Sequence, residues 1–177
     1  MKNFTHIHEQ LKEKFDFKKN IYSNLFDTDK YFVFFGDSNI SLEEINKLLQ
    51  LIFSEEHNIY IYYDNHIQSY NSEIFLKKSI LSSFLENYTD NSMYPFIIFS
   101  DNINKFMYMD TIFEDIFLIG VNSSILKIKI EEFNKKNEFT WISEIQNKTL
   151  QQRFLLGEYL TNKQLNKLTK IYSNLYK

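Results

Sequence analysis

Apolar residues recur along the chain with two different periods, which predict alternating strands and helices. Three short runs, 31–35, 58–63 and 94–99, are almost wholly aromatic or β-branched, and polar turn residues bound each of them. Such runs are typical of buried strands. Between the runs, apolar residues are spaced three and four positions apart, after Ser41 and again from about Glu73. This alternation predicts a βαβαβ core, in which right-handed helical crossovers join parallel strands.

The same patterns predict elements on either side of this core. Four apolar residues at helical spacing predict an N-terminal helix over 3–19. Residues 116–121 and 126–130 predict an antiparallel hairpin, because the second run alternates apolar residues with lysine, as an exposed edge strand does. Residues 105–109 fit either a strand or a helical turn. The segment 141–177 is predicted to be a helical tail.

Length and composition predict one domain with a large aromatic core. The chain has 177 residues, and no linker or repeat divides it, so we expect a single α/β domain with its sheet core over about 31–130. With 18 Phe and 12 Tyr, large rings must fill much of that core. The absence of cysteine excludes disulfides, thiolate metal sites and thiol nucleophiles.

The charge balance argues against a nucleic-acid partner. Twenty basic and 23 acidic residues leave a net charge of −3, and Arg153 is the single arginine. Proteins that bind nucleic acid usually carry a basic face and use arginine for phosphate and base contacts. The N-terminus lacks the apolar run of a signal peptide, and no apolar run is long enough to span a bilayer. We therefore expect a cytoplasmic protein with no nucleic-acid or membrane partner.

One short motif has the form of a hydrolase nucleophile. Gly36-Asp37-Ser38 follows a predicted strand and precedes a capped helix, and it resembles the first block of the SGNH hydrolases, which implies Ser38 as the nucleophile. In that family the general base is a histidine near the C-terminus, whereas the last histidine here is His66. A serine without a base is a weak nucleophile, so an ordinary strand-to-helix turn is the favoured interpretation.

Aspartates follow all three predicted parallel strands, and they suggest a metal site. Asp37, Asp64 and Asp101 each come directly after a strand or within one residue of it, and parallel strands end at the same edge of a sheet. Three converging carboxylates would suit Mg²⁺ and a metal-dependent hydrolase or nuclease. Aspartate is also an ordinary turn residue, so three structural turns remain the competing interpretation.

Aromatic residues beside these turns favour a binding function. Exposed tyrosines next to carboxylates are good anchors for a protein partner. The residues predicted to bind a partner are Asp37, Tyr63, Asp64, His66, Tyr70 and Asp101. No complete catalytic set is present in the sequence, and we predict no cofactor and no catalytic residue.

In size, composition and layout the chain resembles bacterial toxin-immunity proteins of contact-dependent growth-inhibition systems. That resemblance implies binding of a cognate protein toxin, such as a nuclease, and neutralisation by covering its active site. The alternative is a Mg²⁺-dependent hydrolase or nuclease that uses Asp37, Asp64 and Asp101.

Overall fold

The computed structural model describes residues 4–19, 25–27, 30–37, 42–77, 83–84, 95–110, 116–137, 163, 166–167 and 170–171. Its named elements are α1 (Thr5–Lys14), β1 (Phe32–Asp37), α2 (Leu42–Phe53), β2 (Asn58–Tyr63), β3 (His66–Asn71), α3 (Ser72–Phe75), β4 (Phe96–Ser100), β5 (Lys105–Asp110), β6 (Ile116–Val121) and α4 (Ser124–Asn137). Within these residues, no helix combines the length and apolar character needed to cross a membrane.

The six strands form one sheet in the order β1-β6-β5-β4-β2-β3, and every neighbouring pair is antiparallel. The predicted parallel βαβαβ core is therefore wrong. Continuous apolar runs suggested parallel strands because such strands are usually covered on both faces. Here the sheet is antiparallel, yet helices cover both of its faces, so the central strands are equally apolar.

Helices cover the two faces unequally. Helix α1 packs on one face, where Leu11 and Phe15 join a buried cluster with the sheet residues Tyr60 and Phe106. Helices α2, α3 and α4 cover the other face. Residues along β4 alternate between the two clusters, and all five are buried. The result is a sheet with a hydrophobic core on each side.

The predicted hairpin of 116–121 and 126–130 is half right. Residues 116–121 form β6, whereas 126–130 lie inside helix α4. Leu126 and Ile130, four positions apart, face the core, while Ile128 is exposed. An alternation of only five residues fits one face of a helix as well as it fits a strand. The helix is favoured by its cap, because the Leu126 amide donates to the Ser123 hydroxyl at 3.3 Å.

Other predicted elements are confirmed or shortened. Residues 105–109 lie in strand β5. The N-terminal helix spans Thr5–Lys14, and residues 15–19 are not helical. Of the helix expected from about Glu73, α3 covers Ser72–Phe75 and residues 83–84 are also helical, while 78–82 and 85–94 lie outside the described residues. Five residues of the predicted tail are described, and all five are helical; the rest of 141–177 lies outside the described residues.

Candidate functional site

The antiparallel topology decides which strand ends meet. Strand β1 ends at Asp37 and β5 ends at Asp110, and both pair with Ile116 at the start of β6. The turn between β2 and β3 lies at the same end, because Phe96 of β4 pairs both with the last part of β5 and with Tyr63 of β2. Asp37, Asp110 and the β2–β3 turn therefore share one end of the sheet.

The three aspartates expected to hold a metal do not converge. Asp101 follows β4 at the opposite end of the sheet, about 17 Å from the other end for strands of this length. Asp37 and Asp64 share an end but are separated by four strand spacings, or about 19 Å. No group of three or more His, Cys, Asp or Glu among the described residues could hold a metal ion. The hydrolase alternative needs these three carboxylates in one site, and the sheet does not provide it.

Asp64 and Asn65 form the two-residue turn between β2 and β3. Both have left-handed backbone angles, with φ of 45° and 62°. Two such residues in succession are the requirement of a type I′ turn, and aspartate and asparagine tolerate this conformation better than most residues. The hydroxyl of Tyr62 donates to the Asn65 side-chain oxygen at 3.0 Å, and this hydrogen bond ties the turn to strand β2. Burial, followed by the nearby Asp64 charge, raises the pKa of Tyr62.

The turn projects polar groups into solvent. Asp64, Asn65 and His66 are exposed, whereas Tyr63 is half-buried and packs against the α2 side of the sheet. The turn thus offers a carboxylate and an imidazole to a partner, with one tyrosine partly accessible beside them.

Acidic residues of helix α2 also lie at this end of the molecule. Helix α2 begins here, and its first turn adds Glu43 and Glu44. We call this set the acidic end: Asp37, Glu43, Glu44, Asp64 and Asp110. Among the described residues of these strand ends and the first two turns of α2, Lys47 is the one lysine, and it pairs with Glu43 at 2.9 Å. The surplus of negative charge makes this end a candidate site for a basic partner.

Three residues of the acidic end, Glu43, Glu44 and Asp110, were missed as site residues. Asp110 ends β5 just as Asp37 ends β1, so it could have been found once 105–109 was assigned as a strand. Glu43 and Glu44 could not, because glutamates in the first turn of a helix are also expected from the helix dipole alone.

Asp101 has a structural partner at the opposite end. Its carboxylate accepts a hydrogen bond from the hydroxyl of Tyr60. Burial and then this bond raise the pKa of Tyr60 to about 12. Asp101 therefore satisfies a buried hydroxyl, a role that the strand-end pattern did not reveal.

Tyr70 also lies away from the acidic end. It pairs with Ile59 near the start of β2, and its ring lies 5.1 Å from that of Phe75. Its hydroxyl donates to the Gln68 side-chain oxygen, and burial raises its pKa. Tyr70 thus belongs to the edge strand β3 and not to the turn with Tyr63 and His66.

His8 is the histidine with an unusual environment. Its Nε2 is buried and has no hydrogen-bond partner among the residues that the structure describes, and its ring lies 5.9 Å from that of Tyr62. Burial, and then the positive charge of Lys12, lower the pKa of His8, while Glu9 opposes them. The neutral imidazole is therefore the form that the fold accommodates.

Acidification is expected to destabilise the protein through His8. The pKa of His8 is lower in the folded protein than in the unfolded chain, so protonation of His8 favours the unfolded chain. The contribution of neutral His8 to the free energy of unfolding is therefore fully present above about pH 6.5, and it is lost as the pH falls through the folded pKa. Melting temperatures between about pH 7.5 and about pH 5 test this. His8→Phe should flatten the decline, whereas His6→Phe, on an exposed residue of the same helix, should leave it unchanged. Equal declines in all three proteins would contradict the prediction.

Ser38, the nucleophile implied by the SGNH resemblance, lies outside the described residues, so the structure does not place it. The candidate site therefore depends on the geometry and charge of the acidic end. Comparison with known proteins adds no family: no protein-family model, no curated protein and no solved structure matches the chain.

Proposed function

We propose that this chain is a bacterial immunity protein that binds a cognate toxin and neutralises it by covering the toxin's active site. The observation that carries the proposal is the acidic end, where two strand ends, a hairpin turn and the start of α2 supply five acidic residues and one lysine. This end is the contact surface that we assign to the toxin.

The chemistry of the toxin follows from that charge. Proteins that bind nucleic acid use lysine and arginine to neutralise its phosphates, so a nuclease commonly carries a basic surface around its active site. An acidic protein surface can occupy the same positive site and exclude the substrate. A nuclease is therefore the class of toxin that the acidic end fits best.

Charge reversal at the acidic end is expected to weaken toxin binding by more than about tenfold, mainly by slowing association. The variant is Glu43→Lys combined with Asp64→Lys, because both side chains are exposed. The binding partner is the purified product of the neighbouring reading frame, and association and dissociation rates are measured at low and high salt.

The matched control reverses one charge at the opposite end. Glu55→Lys changes a side chain that is 76% exposed, and it should bind as the unmodified protein does. The proposal fails if the neighbouring gene product forms no complex and remains toxic during co-expression. The location of the site is contradicted if Glu55→Lys weakens binding as much as the double variant.

A further inference from the structure

Strand β3 forms one edge of the sheet. Its pairing with β2 determines which of its backbone N–H and C=O groups point away from the sheet. The two-residue turn makes Tyr63 and His66 a hydrogen-bonded pair. Along the two strands from this pair, opposite residues of β2 and β3 alternate between hydrogen-bonded and non-hydrogen-bonded pairs. The Ser72 amide donates to the His57 carbonyl at 3.2 Å, which continues this alternation. The backbone groups of Ile67 and Ser69 must therefore point away from β2. Among the described residues, no strand pairs with this outer edge.

The edge lacks the features that usually block strand addition. Natural edge strands are protected by lysine, proline, a bulge or a very short length. Strand β3 has six residues, none of them lysine or proline, and its register with β2 is unbroken from Asn71 to His66. Exposed and half-buried residues alternate at its beginning, so a partner strand can approach. The edge is thus a template for an additional strand.

Negative charges lie at both ends of this template. Asp64 precedes β3 and Glu73 follows it, and both are exposed. A second copy of this chain fits poorly in an antiparallel pair centred on Ser69, because Asp64 of one copy would then lie one position away from Glu73 of the other. Like charges this close repel each other. An extended segment with lysine or arginine at either end fits both carboxylates.

We propose that β3 binds an extended basic segment of the toxin as an additional antiparallel strand. This inference rests on the proposed function and adds its binding mode. Main-chain hydrogen bonds from Ile67 and Ser69 supply affinity, and Asp64 and Glu73 select a basic segment. The Asp64 turn joins this edge to the acidic end, so one toxin molecule can contact both.

The test compares two substitutions at Ser69. Ser69→Pro removes the outward amide and places a ring where the added strand would lie, and edge strands tolerate proline at such positions. Ser69→Ala is the matched control, because both variants lose the side-chain hydrogen bond to Tyr60 but alanine keeps the amide. With the neighbouring gene product as the probe, Ser69→Pro should raise Kd by about tenfold or more, and Ser69→Ala by no more than about threefold.

Hydrogen exchange in the unmodified protein gives a second readout that does not depend on how well the proline variant folds. The Ile67 and Ser69 amides should exchange more slowly in the toxin complex than in the free protein. Unchanged exchange at both amides, or equal binding by the two variants, overturns strand addition while leaving the immunity function intact. Protection that rises with the concentration of the free chain assigns the edge to a second copy and also overturns the inference. A complete lack of toxin binding by the unmodified protein is instead the failure of the proposed function.

Discussion

Gly120→Ala is expected to destabilise the protein by about 3 kcal/mol, the upper part of the range for overpacked cores. Gly120 of β6 pairs with Phe106 of β5, and a methyl group on Gly120 would lie closer than 3.0 Å to the Phe106 ring. That ring cannot move aside easily, because it is fully buried and makes edge contacts with Phe15, Phe26 and Tyr31 at centroid distances of 4.8, 5.0 and 5.1 Å. Urea unfolding measures the loss.

A smaller side chain at position 106 provides the control. The cost of Gly120→Ala should fall by about 1 kcal/mol or more when it is made in a Phe106→Leu background, because the overlap is then relieved. A loss below about 0.5 kcal/mol in the original background would show that the ring is free to shift, contrary to the prediction.

Glu56→Gln is expected to cost about 3 kcal/mol of unfolding free energy at neutral pH. The Lys105 ammonium group lies 2.6 Å from the Glu56 carboxylate, and the lysine side chain is only 9% exposed. Both residues line a cavity of about 340 Å³ between the end of α2 and the start of α4. Removing the carboxylate charge leaves a buried ammonium group unpaired, which is the costly way to break an ion pair.

The adjacent glutamate is the matched control for this pair. Glu55 lies 3.7 Å from Lys129, and its side chain is 76% exposed, so Glu55→Gln should cost less than about 1 kcal/mol. The double variant Glu56→Gln/Lys105→Met should be more stable than Glu56→Gln alone, because no unpaired charge remains. A double variant no more stable than the single one would contradict the assignment of the loss to the lysine.

Local sequence patterns predicted where most core strands lie, but not how they pair. The runs 31–35, 58–63 and 94–99 overlap β1, β2 and β4, since burial on both faces makes them continuously apolar. Strand β3 was missed because an edge strand is polar and carries no such run. The Asp64-Asn65 turn was the available signal, because two residues that tolerate positive φ between two strands indicate a hairpin.

The candidate site depended on strand direction, which local patterns do not contain. Asp37 and Asp64 share one end of the sheet, but four strand spacings separate them, so they do not converge as the prediction required. Asp101 was placed wrongly because β4 runs opposite to the direction that a parallel sheet requires. Because the β2–β3 hairpin was not predicted, the direction of β4 was predicted wrongly, and Asp101 was therefore assigned to the wrong end of the sheet.

The position of β1 has a consequence for synthesis of the chain. Among the described strands, its one neighbour is β6, and Phe34 pairs with Ile119, 85 residues later. At about 5–20 residues per second, a ribosome needs roughly 4–17 s to add those residues. The hairpin of β2 and β3 can form within this interval, whereas the apolar strand β1 stays unpaired until β6 has been synthesised. A contact this distant in sequence slows folding, so the nascent chain is most vulnerable to aggregation while β1 has no partner.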